Sequence, residues 1–113
     1  MTSTTVSNAE RIRALNDAFR RTFVGGMVMI TSGVEAMPLD QRRSLLAKIR
    51  AFDAFTDDND PHGEHDFGAV DEGVERYFWK IDYYDRSMEH GSPDPADPAL
   101  TTRVLTIMRA DEY

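Results

Sequence analysis

The chain has 113 residues, of which 41% are hydrophobic and 29% charged, the composition of one soluble domain with a single core. It contains no cysteine, which excludes disulfides and thiolate metal sites. Its net charge of −7 is unevenly placed: residues 1–50 carry eight Lys/Arg against four acids, net +4, and residues 51–113 carry five against sixteen, net −11. That polarity suits a partner with a basic surface for the second half and disfavours that half as a nucleic-acid binder, although a solvated acidic face kept for solubility is the plainer alternative.

Residues 1–6 are expected to be flexible, and with no apolar h-region near the start no signal peptide is expected. The longest apolar run is far too short to span a bilayer, so a cytoplasmic protein is expected. Ser7 and Glu10 form a capping box, and Ile12, Leu15, Phe19 and Phe23 follow at helical spacing, with Arg20 and Arg21 in the last turn and Gly25-Gly26 as the stop. Met27 to Thr31 reads as a short buried strand, with Ser32-Gly33 as its turn. A second helix opens at Pro38-Leu39-Asp40, with Asp40 as its N-cap. It buries Leu45, Leu46, Ile49 and Phe52 and turns Arg42, Arg43, Lys48 and Arg50 outward. That arginine face could touch nucleic acid; without interleaved aromatics it reads better as solvation or as a partner for the acidic half.

A turn-rich stretch from Asp57 to Gly63 leads into a period-two segment, Glu64 to Val70. Asp71-Glu72-Gly73 reads as a hairpin connection. Glu75 to Tyr84 is the strongest strand, with Tyr77, Trp79, Ile81 and Tyr83 on a core face and Phe78, Lys80, Asp82 and Tyr84 on the other, where Lys80 and Asp82 can pair. Residues 86–101 are a proline-rich loop, whose length in so small a domain points to function or disorder. Thr102 to Ala110 is a last strand. The expected fold is α+β: a single domain, 1–113, with two helices on one face of a small, mostly antiparallel sheet of three to four strands.

Two site readings compete. Asp57, Asp58, Asp60, Glu64 and Asp66, with Asp71, Glu72 and Glu75, form an acidic partner-binding surface. Alternatively, His65, Asp66, Lys80 and Asp82 form an acid–base centre, and Asp60, His62 and His65 a metal site. An EF-hand fails: counted from Asp58, Ala69 stands where a bidentate glutamate is required. His62 and His65 lack the spacing of a metalloprotease motif, and turn-forming aspartates with a structural His65 explain the cluster as well. There is no nucleophile elbow and no phosphate-cradling glycine loop, so no reaction and no cofactor is indicated. The aromatics around Trp79 suit core and interface alike.

Several longer runs carry a resemblance: Asn16-Asp17 with Phe19-Arg20, Asn59 to Gly68, Phe78 to Tyr84, Gly91-Ser92-Pro93 with Pro95, and Arg103 to Met108 with Glu112-Tyr113. Together they resemble the small bacterial family called domain of unknown function 3768. His62 stands where that family is expected to carry tyrosine, which leaves His65 as the better candidate of the two histidines. The resemblance implies no established activity. It implies a setting among plasmids, integrative elements and phages, beside antirestriction genes. In that setting a small acidic domain is expected to be a stoichiometric inhibitor of a host defence system, of the anti-CRISPR or antirestriction type, rather than an enzyme.

Overall fold

The structure, a computed structural model, describes residues 6–113. The flexible segment expected over residues 1–6 therefore lies outside the described residues, except for Val6. Helix α1 (Asn8–Thr22) has Ser7 as its N-cap, its hydroxyl accepting from the Glu10 N–H at 3.1 Å. Among the described residues the return bond from the Ser7 N–H to the Glu10 side chain is not made, so the capping box is half formed. The helix ends at Phe23, whose left-handed φ of 58° breaks it before the glycines are reached. Strand β1 (Met27–Ile30) follows, then a single helical turn, α2 (Ser32–Glu35), where only a turn is expected from the sequence. Helix α3 (Leu39–Arg50) comes next. Its N-cap is Pro38, not Asp40: the Pro38 carbonyl already takes the Arg42 N–H at 2.9 Å, which puts Asp40 inside the first turn.

Strands β2 (Phe67–Glu72), β3 (Glu75–Tyr84) and β4 (Thr102–Arg109) complete a four-stranded sheet of order β1-β4-β3-β2. The β2–β3 and β3–β4 pairs are antiparallel, and β1 runs parallel to β4. A 3-10 turn, Ala110–Glu112, closes the chain. Three helices and a mostly antiparallel sheet make the α+β fold that the sequence implies.

Three local readings need correction. β2 begins at Phe67 rather than Glu64, because His65 holds φ 54° and cannot join an extended ladder. The hairpin loop is Gly73-Val74: Asp71 still pairs with Arg76 across the strands, which carries the ladder through Glu72, and Gly73 supplies the positive φ of 62° for a two-residue turn. β1 is not buried. The helices lie over β2, β3 and β4 and leave all four of its side chains exposed. A short apolar run has no feature that separates a central strand from an edge strand.

The alternation along β3 holds. Its register places Tyr77, Trp79, Ile81 and Tyr83 on one face with Gly68, Val70, Leu105 and Ile107. There they meet Phe19 of α1, Val34, Met37, and Leu45 and Ile49 of α3. Trp79 is fully buried at the centre, edge-on to Phe52 and Phe55. Each fully buried Leu, Ile or Phe here contributes roughly 1.5–3 kcal/mol from area removed from water. Gly68 is a position where the core tolerates no side chain. A Cβ there would lie 2.4 Å from Trp79 Nε1, and the closed packing leaves the indole no room to withdraw. Gly68→Ala is expected to lower stability by about 1–3 kcal/mol, read as a shifted urea midpoint with unchanged slope. An unchanged midpoint would show that β2 can slide away from the ring.

The opposite face carries the Lys80–Asp82 pair at 3.0 Å, and Phe67 and Phe78 under the edge of Tyr113. Glu112 ties this end of the molecule together. Its carboxylate accepts from Thr31 Oγ1 at 2.7 Å, from the Gly33 N–H at 2.9 Å and from the Arg109 N–H at 2.8 Å. Those three bonds, the Thr31 hydroxyl foremost, hold its pKa below the ordinary glutamate value. The proline-rich loop is ordered by its own polar groups. Ser92 donates its N–H to the Tyr83 carbonyl at 3.0 Å, Ser92 Oγ and Thr101 Oγ1 meet at 2.7 Å, and Asp94 and Asp97 close Asx turns on Ala96 and Ala99.

Candidate functional site

The polar heart of the molecule lies where α1 crosses the loop before β2, and it is built from residues 48 positions apart. Asn16 and Asp17 are neighbours on α1; they bind Glu64 and His65, neighbours on the loop. Two networks start from these pairs.

The first is a polarised chain running from a buried cation to a carboxylate. Arg103 Nε on β4 donates to Asn16 Oδ1 at 2.8 Å. Asn16 Nδ2 donates to the Tyr83 hydroxyl at 2.7 Å and to the Glu64 carbonyl at 3.0 Å. Tyr83 in turn donates to Glu64 Oε1 at 2.8 Å. The Arg103 guanidinium also donates to the Pro95 carbonyl, which fixes the proline-rich loop, and lies 5.2 Å from the Tyr83 ring. Burial pushes the Tyr83 phenol well above its ordinary range, and the Glu64 carboxylate it serves pushes it further, so the hydroxyl stays a donor. Burial lowers the Arg103 pKa, against the opposing pull of Tyr83 and Glu64.

The second network centres on Asp17. Its Oδ1 accepts from Arg20 NH1 at 2.9 Å and faces His65 Nδ1 at 2.9 Å. The carboxylate can only accept, so Nδ1 carries the hydrogen and the imidazole is oriented. His65 Nε2 lies 3.6 Å from Asp60 Oδ2, and the His65 N–H donates to Asp60 Oδ1 at 3.2 Å. The Phe55 ring stacks on the imidazole at 3.6 Å with an interplanar angle of 3°. Arg20 is completely buried. It donates to the Phe52 carbonyl at 3.0 Å and its guanidinium lies 5.3 Å from the Phe55 ring and 5.1 Å from the Trp79 ring. Beside His65 a depression of about 170 Å³ opens, lined by Arg13, Phe55, Thr56, Asp57, Asp60, Gly63 and His65.

The residues singled out in the sequence separate into distinct places. His65 and Asp60 meet, with Asp17 as the partner that sequence proximity could not supply. Lys80 and Asp82 lie on the other face of the sheet, so they do not share a site with His65. Asp66 uses its carbonyl to take the Ile81 N–H at 2.8 Å, and burial raises its side-chain pKa. His62 is exposed and outside both networks. Among the described residues no group of three or more His, Asp or Glu side chains is arranged to hold a metal ion.

The acidic set divides too. Asp60 and Glu64 are drawn into the networks. Asp71 is held by Arg76 at 3.0 Å and Glu72 by Lys48 at 3.1 Å. Asp57, Asp58 and Glu75 remain exposed and, among the described residues, without an ion-pair partner. Asp57 and Asp58 sit on a stiff turn: Thr56 N–H donates to Asn59 Oδ1 at 2.8 Å, Asn59 N–H to Thr56 Oγ1 at 3.2 Å, and Asn59 Nδ2 to the Ala54 carbonyl at 2.9 Å.

These features define a small α+β domain with an acidic turn mounted on a hydrogen-bonded polar core. The chain belongs to the family described as protein of unknown function DUF3768, which matches residues 30–112. The matched region takes in β2, β3, β4 and the His65 loop, and leaves α1 outside it. Neither the curated proteins nor the solved structures gave a match.

Proposed function

We propose that this protein is a non-enzymatic, acidic protein-binding module acting in the cytoplasm as an inhibitor of a host defence system, of the anti-CRISPR or antirestriction type. Its partner is a protein with a basic surface, one that otherwise holds nucleic acid. The observation that supports this reading best is the Thr56–Asn59 turn, which holds Asp57 and Asp58 exposed on a backbone stiffened by three side-chain hydrogen bonds. A rigid, unpaired carboxylate pair loses little freedom on binding and steers a basic surface toward it. Asp53 is exposed on the same connection and adds to the charge. Mobile-element carriage, which the family resemblance implies, supports the anti-defence form by analogy.

The test is a charge reversal. Asp57→Lys with Asp58→Lys is expected to abolish capture of a stoichiometric partner that the wild-type protein releases at raised salt, while the melting curve stays the same. Capture that survives both reversal and salt would sink the reading.

One observation favours a second reading. The His65 imidazole, oriented by Asp17 and edged by Asp60 and an open depression, has the arrangement of an acid–base group. His65→Gln separates the two: it leaves partner capture intact if the acidic turn is the functional surface, and removes turnover if the imidazole is.

A further inference from the structure

We propose that β1 is a self-association edge, where a second copy of this chain pairs antiparallel across a two-fold axis to continue the sheet. This inference is independent of the acidic turn and its partner. β1 ends the sheet, so among the described residues one side of its backbone has no strand beside it. Its four residues are all apolar and all exposed: Met27 47%, Val28 37%, Met29 51% and Ile30 39%.

The opposite edge shows how this sheet protects itself. β2 carries Asp71 and Glu72, and Lys48 reaches over from α3 to donate to the Asp71 carbonyl at 2.9 Å while pairing with Glu72. Charged residues and covered carbonyls are the usual guards against edge pairing. β1 has no charged residue and no proline, and among the described residues no side chain covers its open carbonyls. The whole stretch 22–34 contains no charged residue, in a chain where 29% of residues are charged.

That neutrality selects the occupant. Antiparallel pairing across a two-fold axis sets identical or near-identical positions against one another, so any charge would face its own kind. No position from Thr22 to Val34 incurs that penalty. A basic partner of the kind that suits the acidic turn would find nothing to pair with here. The register narrows further. Val28 and Ile30 align with Leu105 and Ile107 on the helix-covered side, and Met27 and Met29 with Val104 and Thr106 on the other. A two-fold axis perpendicular to the sheet keeps those sides matched. The pairing is therefore centred on Val28 against Val28 or on Met29 against Met29.

The native chain has no cysteine, which makes single-cysteine variants a clean probe. Sedimentation equilibrium of the wild-type protein is expected to show a monomer–dimer equilibrium. Met29→Lys is expected to raise the dissociation constant by roughly tenfold or more, with an unchanged circular dichroism spectrum. Under mild oxidation either Val28→Cys or Met29→Cys is expected to form a disulfide-linked dimer, since directly opposed strand residues fall within disulfide reach. Val74→Cys, on the exposed hairpin tip, is the control that does not. A wild-type protein that stays monomeric at every concentration overturns the proposal, even if another chain later adds a strand at β1. So does a dimer that ignores Met29→Lys and is cross-linked at neither position. Because the cross-link is read in a chain otherwise wild type, a folding defect in Met29→Lys leaves the test decisive.

Discussion

Replacing Arg20 with alanine is expected to cost about 3–5 kcal/mol of folding stability, the largest effect of any single polar substitution in this chain. The guanidinium is wholly buried, and three things depend on it. Asp17 loses the cation that compensates its largely buried carboxylate, and the Phe52 carbonyl, just past the end of α3, loses its donor. The Phe55 and Trp79 rings lose the guanidinium that lies 5.3 and 5.1 Å from their centres, which leaves a void beside the core. Against a total stability of about 5–15 kcal/mol for a domain of this kind, such a loss is a large fraction. Arg20→Lys is expected to recover little, because an ammonium lacks the planar fork that reaches the Asp17 carboxylate and the Phe52 carbonyl together. Urea denaturation of the two variants beside wild type measures this. A double-mutant cycle with Asp17→Ala should then give a combined loss clearly below the sum of the singles. A loss under about 1 kcal/mol for Arg20→Ala would mean that water reaches the guanidinium, and that this contact is a surface pair in energetic terms.

The contrast between Arg20 and its neighbours shows which parts of the molecule can be read from sequence. Period-two alternation across Tyr77 to Tyr84 is a local property, and it placed Trp79 in the core and Lys80 beside Asp82 correctly. The Ser7–Glu10 cap is equally local. Arg20, by its position in the last turn of α1, looked like a cation answering the helix dipole. Its burial depends on Phe52, Phe55 and Trp79, which arrive 32 or more residues later in the chain, and no local rule carries that. His65 was visible as a candidate from its acidic surroundings, yet its partner is Asp17 rather than Asp66, Asp82 or Glu64. The adjacent pair Asn16-Asp17 is the one local hint: two short polar residues inside an otherwise amphipathic helix, beside the apolar stripe of Ile12 and Phe19, need partners from elsewhere. The Met27–Ile30 run fails for a different reason. Its pattern is the same whether a strand lies inside a sheet or at its edge, and only the placement of the helices decides.

Asn16 is where the second large effect is expected. Asn16→Leu keeps the branched heavy-atom skeleton, with bulkier methyl groups, and removes both the acceptor and the donors, so Arg103 Nε, the Glu64 carbonyl and the Tyr83 hydroxyl lose a partner at once. Arg103 is the costly member, because it is buried and charged and its remaining bond goes only to a loop carbonyl. A loss of about 3 kcal/mol is expected, since leaving buried polar groups unpaired costs roughly 1–3 kcal/mol each, more for a charge, with some relief from rearrangement. Asn16→Asp separates packing from donation. It matches the wild-type shape and gives Arg103 a stronger acceptor, but it points an acceptor at the Glu64 carbonyl and adds a negative charge close to the Glu64 carboxylate. If the amide matters as a donor, Asn16→Asp remains destabilised despite its gain at Arg103. If the side chain matters only as a spacer between α1 and the sheet, Asn16→Asp equals wild type and Asn16→Leu loses little. Thermal and urea melts of both variants decide between these. The proline-rich loop supplies an independent readout, because the bond from Arg103 to the Pro95 carbonyl anchors it. Proteolytic nicking within residues 86–101 should rise in Asn16→Leu before the rest of the fold opens, a change that a uniform loss of stability would not confine to that loop.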